Sequence, residues 1–117
     1  MNDFKLIILA CICILFSCTD KSALDAKPAD LLTEEQMSRV LVDIHITESA
    51  LSLKNLNRDS SLSIYAGYKA DIFQEHHITE EQFKQSYDYY SKHSDKLDHI
   101  YEVVIDSIGA KEAKGKL

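Results

Sequence analysis

The chain has 117 residues, 45% of them hydrophobic, with three glycines, one proline, three cysteines and a formal net charge of −6. That length holds one domain with a modest core, and the acidic balance excludes nucleic acid and electrostatic adhesion to anionic lipid, since phosphates repel such a surface. Three cysteines also exclude a dense disulfide scaffold.

The first segment reads as targeting sequence rather than fold. Met1-Asn2-Asp3-Phe4-Lys5 is a short n-region, and Leu6 to Phe16 then runs without a charge. A membrane helix needs about 20 apolar residues to cross roughly 30 Å of hydrocarbon, so this run is too short to span and suits a signal h-region. It ends at Leu15-Phe16-Ser17-Cys18, a pattern similar to the lipobox of bacterial lipoproteins. A small residue at the cut admits the peptidase, and the thiol of Cys18 is the nucleophile that takes the lipid. The expectation is a signal peptide over 1–17, cleavage between Ser17 and Cys18, and lipidation at Cys18. Cys11 and Cys13 fall in the discarded part, so the mature chain keeps one cysteine and no intramolecular disulfide. Acyl chains of the palmitate kind, at about 0.8 kcal/mol per buried methylene, then anchor the protein to the membrane. Cleavage removes one acid and one lysine, Asp3 and Lys5, so the charge stays at −6.

Residues 18–31 are polar, contain Pro28 and show no sustained periodicity, which predicts a flexible tether. Extended at roughly 3.3 to 3.6 Å per residue, its Thr19 to Asp30 portion reaches about 40 Å. The helical domain is expected over 32–109. Thr33-Glu34-Glu35-Gln36 forms a capping-box pattern, followed by Met37, Val40, Leu41, Ile44 and Leu51 at helical spacing, with the first helix ending near Asn55 to Asn57. Asn57 to Ser61 offers N-caps for a second, shorter helix carrying Leu62, Tyr65, Ile72 and Phe73 and ending near Glu75. Gly67 in its middle costs about 1 kcal/mol relative to alanine unless close packing or a bend uses it. Thr79-Glu80-Glu81-Gln82 repeats the capping box. From there the stripe Phe83, Tyr87, Tyr90, Ser94, Leu97, Tyr101, Val104 and Ile108 predicts one uninterrupted helix of about 45 Å, stopped by Gly109. Residues 110–117 read as a disordered basic tail.

The fold class predicted is all-α: a small three-helix bundle with two long helices and a shorter middle one, burying the Met37, Phe73, Phe83 and Leu97 faces together. The third helix is expected to extend past so small a bundle.

Two stretches resemble a known family. Leu32 to Met37 with Leu41-Val42-Asp43-Ile44-His45-Ile46-Thr47-Glu48 is similar to its N-terminal motif, and Ile78 to Phe83 with Ser86, Tyr89-Tyr90, Leu97, Ile100-Tyr101 and Val104 to its C-terminal half. The family is the domain of unknown function numbered 4296, small lipoproteins of Bacteroidetes bacteria, and the resemblance covers about Pro28 to Ile108. It implies a helical lipoprotein of the outer envelope and supplies no catalytic residues.

Among candidate chemistry, Asp43, His45 and Glu48 on the first helix stand out as a polar cluster or partner patch. His45 and Glu48 are one turn apart, and Glu48 continues the stripe after Ile44, so a buried carboxylate there needs a tyrosine or lysine partner. A metal site would need three or four ligands, and only two lie on that face. His76-His77 suits the capping of the second helix's last carbonyls or solvent exposure, and His93 and His99 project to different faces. Tyr65, Tyr87, Tyr90 and Tyr101 fall on core stripes, whereas Tyr68 and Tyr89 lie off them and could mark a contact surface. Nucleophile, phosphate-loop and cysteine-rich metal motifs are absent from the mature sequence. The expected function is that of a non-enzymatic lipoprotein, anchored at the outer membrane through acylated Cys18 and assembling with an envelope protein, without cofactor, nucleic acid or small-molecule substrate. The alternative is a metal-dependent or acid–base enzyme centred on His45 and Glu48.

Overall fold

The computed structural model describes residues 26–54 and 57–115. The expected signal peptide, the Ser17 to Cys18 cleavage site and the lipidated cysteine lie outside these residues. Four helices follow in order: α1, Glu34–Ser52; α2, Arg58–Glu75; α3, Glu80–Ser91; and α4, Ser94–Ala113. The described residues contain no strand. α1 is the spine; α4 and α2 pack along it, and α3 bridges α4 and α1.

The start of α1 follows the reciprocal capping read from sequence. Thr33 Oγ1 accepts the Gln36 amide at 3.1 Å, and the Gln36 side chain accepts the Thr33 amide at 2.9 Å. At α3 the box is only half formed. Thr79 accepts the Gln82 amide, but the Gln82 side chain instead donates to the Asp30 carbonyl at 3.0 Å. That bond helps fasten the segment before α1. Leu32, fully buried, donates its amide to Ser86 Oγ at 3.0 Å, and its carbonyl accepts the Tyr90 hydroxyl at 2.7 Å. Docking thus begins at Asp30, inside the stretch expected as tether, because its backbone groups find partners on α3.

α2 ends at Glu75, as its sequence predicts, in a left-handed stop. The Ile78 amide bonds the Phe73 carbonyl and the His77 amide bonds the Gln74 carbonyl, each at 3.0 Å, with His77 at φ 54°. This is the hydrogen-bond pair of a Schellman motif, with histidine where glycine is the usual residue. The turn swings Ile78 back onto the core beside Phe73.

The predicted third helix is two helices, which corrects the three-helix expectation. Ser91 turns its hydroxyl back to the Asp88 carbonyl, the Lys92 and His93 amides make tight bonds to Tyr89 and Tyr90, and His93 leaves helical geometry at φ −121°, ψ 80°. Serine and histidine give up helical backbone readily. The break redirects α4 along α1, where Ile100 and Val104 are buried, instead of letting it run past the bundle. Burying two such side chains is worth roughly 1.5–3 kcal/mol each, against about 1 kcal/mol for each helical hydrogen bond forgone. α4 also runs through Gly109 to Ala113, so the helix does not stop at that glycine and residues 110–113 are not a tail. Lys111 in the last turn reaches Asp43 of α1, a contact that holds the extension in place. α1, in turn, ends at Ser52, earlier than expected.

The core is two packed clusters. One gathers Leu32, Met37, Leu41, Val42, Tyr90, Ile100 and Val104; the other gathers Val40, Ile44, Ile72 and Phe73. Phe83 and Ile78 pack against both, and Leu97 adds to the first. The four faces expected to meet do so, with Phe83 as the joint.

Candidate functional site

The three polar residues singled out on α1 do not form one cluster. Residues two apart on a helix project to opposite sides, so Asp43 and His45 part company while His45 and Glu48 share a side. Asp43 Oδ2 accepts from His76 Nε2 at 2.8 Å and Oδ1 from Lys111 Nζ at 3.3 Å. One carboxylate therefore ties α1 to the end of α2 and the last turn of α4. The His76 ring serves this tie, where capping of the helix carbonyls or solvent exposure was expected. Its position was readable: His76 follows buried Phe73 by three residues, and Lys111 follows buried Val104 by seven, so each shares its helix's inward face.

Glu48 lies on the other flank, its side chain half exposed. Its Oε1 accepts the Tyr65 hydroxyl of α2 at 2.8 Å, and Oε2 is 3.4 Å from His45 Nδ1. Burial, the hydrogen bond to Glu48 and its negative charge push the Tyr65 phenol up to about 12. Across from it, the Tyr101 hydroxyl of α4 meets that of Tyr87 on α3 at 3.3 Å, and the Tyr101 ring leans on His45 with centroids 6.1 Å apart. The bond with Tyr87, burial and the charges of Tyr87 and Glu48 also push Tyr101 up to about 12. Phe83 continues the aromatic run, 6.1 Å from Tyr87 and 5.1 Å from Phe73.

Tyr65, Phe73, Phe83 and Tyr87 border an open cleft. α2 and α3 both lean on α1 but meet each other mainly through the Phe73 and Phe83 rings and a Lys69 to Glu80 ion pair of 3.2 Å. On the α2 side the cleft opens into a cavity of about 660 Å³ lined by Leu62, Tyr65, Lys69, Phe73 and Ile78; on the α3 side, into one of about 410 Å³ lined by Phe83, Lys84 and Tyr87. Tyr87, expected in the core, is exposed at its rim.

The family comparison bears on the whole of this architecture. The family described as a domain of unknown function (DUF4296) matches residues 28–114, from the docked N-terminal segment to the end of α4. The chain belongs to that family. No curated protein and no solved structure matches it. The matched span shows that the fastening segment and the extension of α4 beyond Gly109 are part of the DUF4296 domain.

The remaining candidates sort by contact. Tyr89, read as a contact residue, is absorbed into the protein: its ring stacks on His93 at 4.2 Å, meets Tyr90 edge-on at 5.5 Å and lies under Lys96. His93 also bonds the Tyr89 carbonyl through Nδ1, whereas His99 faces Glu102 on the exposed side of α4, so the two histidines form no chelate. Tyr68 is exposed, together with Leu62 and Ile64 of the same helix. Among the described residues, no three His, Cys, Asp or Glu side chains gather as metal ligands, and no helix is long and apolar enough to cross a membrane.

Proposed function

We infer that this DUF4296 protein is an envelope lipoprotein anchored through acylated Cys18, and that its helical domain is a non-enzymatic module that docks another envelope protein. One observation carries the docking half. α2 spans Arg58–Glu75 yet buries only Ile72 and Phe73, and it presents Leu62, 58% exposed, with Ile64 and Tyr68 to solvent. Helices in proteins owe most of their stability to packing an apolar face, so a helix with so little of its length packed suits completion by a partner. The anchoring half is supported by the Leu15-Phe16-Ser17-Cys18 pattern after an apolar run too short to span a bilayer. The outer membrane is the expected site, with the lipid supplying the affinity that an acidic domain lacks.

Two readings of one preparation test this. Mass spectrometry of the N-terminal peptide from the membrane fraction is expected to find a chain that starts at acylated Cys18. A photo-crosslinker at Leu62 is expected to capture one recurring envelope protein that the same crosslinker at Ser107, near Asp43, does not. An unmodified chain starting at Met1 would overturn the anchoring. Equal capture from both positions, or none, would overturn the docking.

A further inference from the structure

The two cavities of the cleft share Lys69 and Glu80 in their linings, so they form one continuous surface. α2 lines it with Leu62, Tyr65, Ala66, Lys69, Ala70 and Phe73, and α3 with Glu80, Phe83, Lys84, Tyr87 and Ser91. Both series recur at intervals of three and four residues, the spacing that lines up one face of a helix. Ala66 and Ala70 are exposed and short, which leaves room beside α2 for a bulky apolar group and lets a second backbone come close. Charge in the lining is uneven. Lys69 is tied to Glu80 at 3.2 Å and Asp88 to Lys92 at 2.7 Å, whereas exposed Lys84 has no acidic partner among the described residues.

We propose that an amphipathic helix of the envelope partner lies in this cleft, with its apolar seam against the stripes of α2 and α3 and a carboxylate beside Lys84. Side chains at three- and four-residue intervals form ridges, and the ridges of a third helix fit the grooves between them. A strand, whose side chains alternate at every second residue, does not match that spacing. Such a helix covers Leu62 and fills the space beside Ala66 and Ala70, and its acid answers the lining cation that this chain leaves unpaired. An acyl chain fits less well, because it strips water from Lys84 and from the Lys69 to Glu80 pair without offering either a partner. This rests on the docking reading above and names the element that docks and the charge it carries.

The test places photo-crosslinkers singly at Leu62, Gln74 and Tyr87 of the full-length chain in cells and maps the joined residues by mass spectrometry. All three are expected to reach one segment of the captured protein, at positions three, four or seven residues apart, with an acid on the same face. Lys84→Glu is expected to cut capture by about tenfold or more, and Lys84→Arg, which keeps the charge, to retain it. Lysine in place of the partner's acid is expected to restore capture by the Lys84→Glu chain. Joined residues two apart or scattered over several segments, or capture unchanged in a folded Lys84→Glu variant, would overturn the proposal. So would crosslinks to a second copy of this chain, or to residues 18–25 of the same chain, each of which would reassign the cleft. Capture from Leu62 that persists through any of the first two results would leave the docking reading standing and defeat only the acidic-helix assignment, whereas capture from none of the three positions would overturn both.

Discussion

The phenols of Tyr65 and Tyr101 hold their protons to about 12 in the folded chain, against roughly 10 for a free tyrosine. Between those values the folded state binds more protons than the unfolded one, so the stability these groups contribute is full below pH 10 and is lost as pH rises through about 12. Tyr65→Phe removes one of the two titrations. The stability gap between the parent and this variant is therefore expected to narrow as pH climbs from 10 to 12, as denaturant unfolding at several pH values would show. His77 is a second residue with a definite cost. A non-glycine side chain at φ 54° is strained, so His77→Gly is expected to raise stability by about 0.5–1 kcal/mol, read from the urea midpoint. At this scale the sequence was partly legible. The pairing of His45 with Glu48 followed from their spacing, while the separation of Asp43 followed from the same helical geometry but required projecting each residue rather than grouping neighbours in the chain.

Among the elements, the helix starts were the most legible, because caps are local: Thr33, Asn57 and Thr79 each accept the amide that their position predicts. The break at Lys92 and His93 was hidden by the stripe itself, which steps by four and three through Tyr90, Ser94 and Leu97 as though unbroken. Periodicity records which residues favour a face, and it carries no information on where tertiary burial of Ile100 and Val104 bends the axis. Gly109 misled because a stop was read from one residue, although Lys111, two residues further, continues the inward face of Val104 and reaches Asp43. The fastening of Leu32 makes a strong prediction. Ser86→Ala leaves the buried Leu32 amide without its acceptor and is expected to cost about 1–3 kcal/mol of global stability. Gly67 on exposed α2 makes an opposite one. A Cβ there meets nothing within 4 Å, so Gly67→Ala is expected to stabilise the chain by up to about 1 kcal/mol and to slow amide exchange in α2.

For the molecule as a whole, an all-α domain was readable from composition and stripes, and the two-cluster core with Phe83 at its joint matches the faces expected to meet. The cleft was not readable. Its walls come from α2, α3 and the turn between them, and Tyr65 and Tyr87, which line it, had both been assigned to the core. A stripe places side chains toward the rest of the protein but cannot say whether two neighbouring helices close over them. Here α2 and α3 splay, and α2 buries only Ile72 and Phe73.

Amide hydrogen exchange, with and without the crosslink-identified partner, tests the cleft as a docking surface most directly. Alone, the N-terminal two-thirds of α2 is expected to exchange fastest among the four helices, because its apolar side chains lie exposed. With the partner bound, protection is expected to appear in α2 and on the α3 residues that line the cleft, while the α1 and α4 core changes little. Protection confined to the Asp43, His76 and Lys111 flank, or an α2 that is already as protected as α1 in the free protein, would contradict the account.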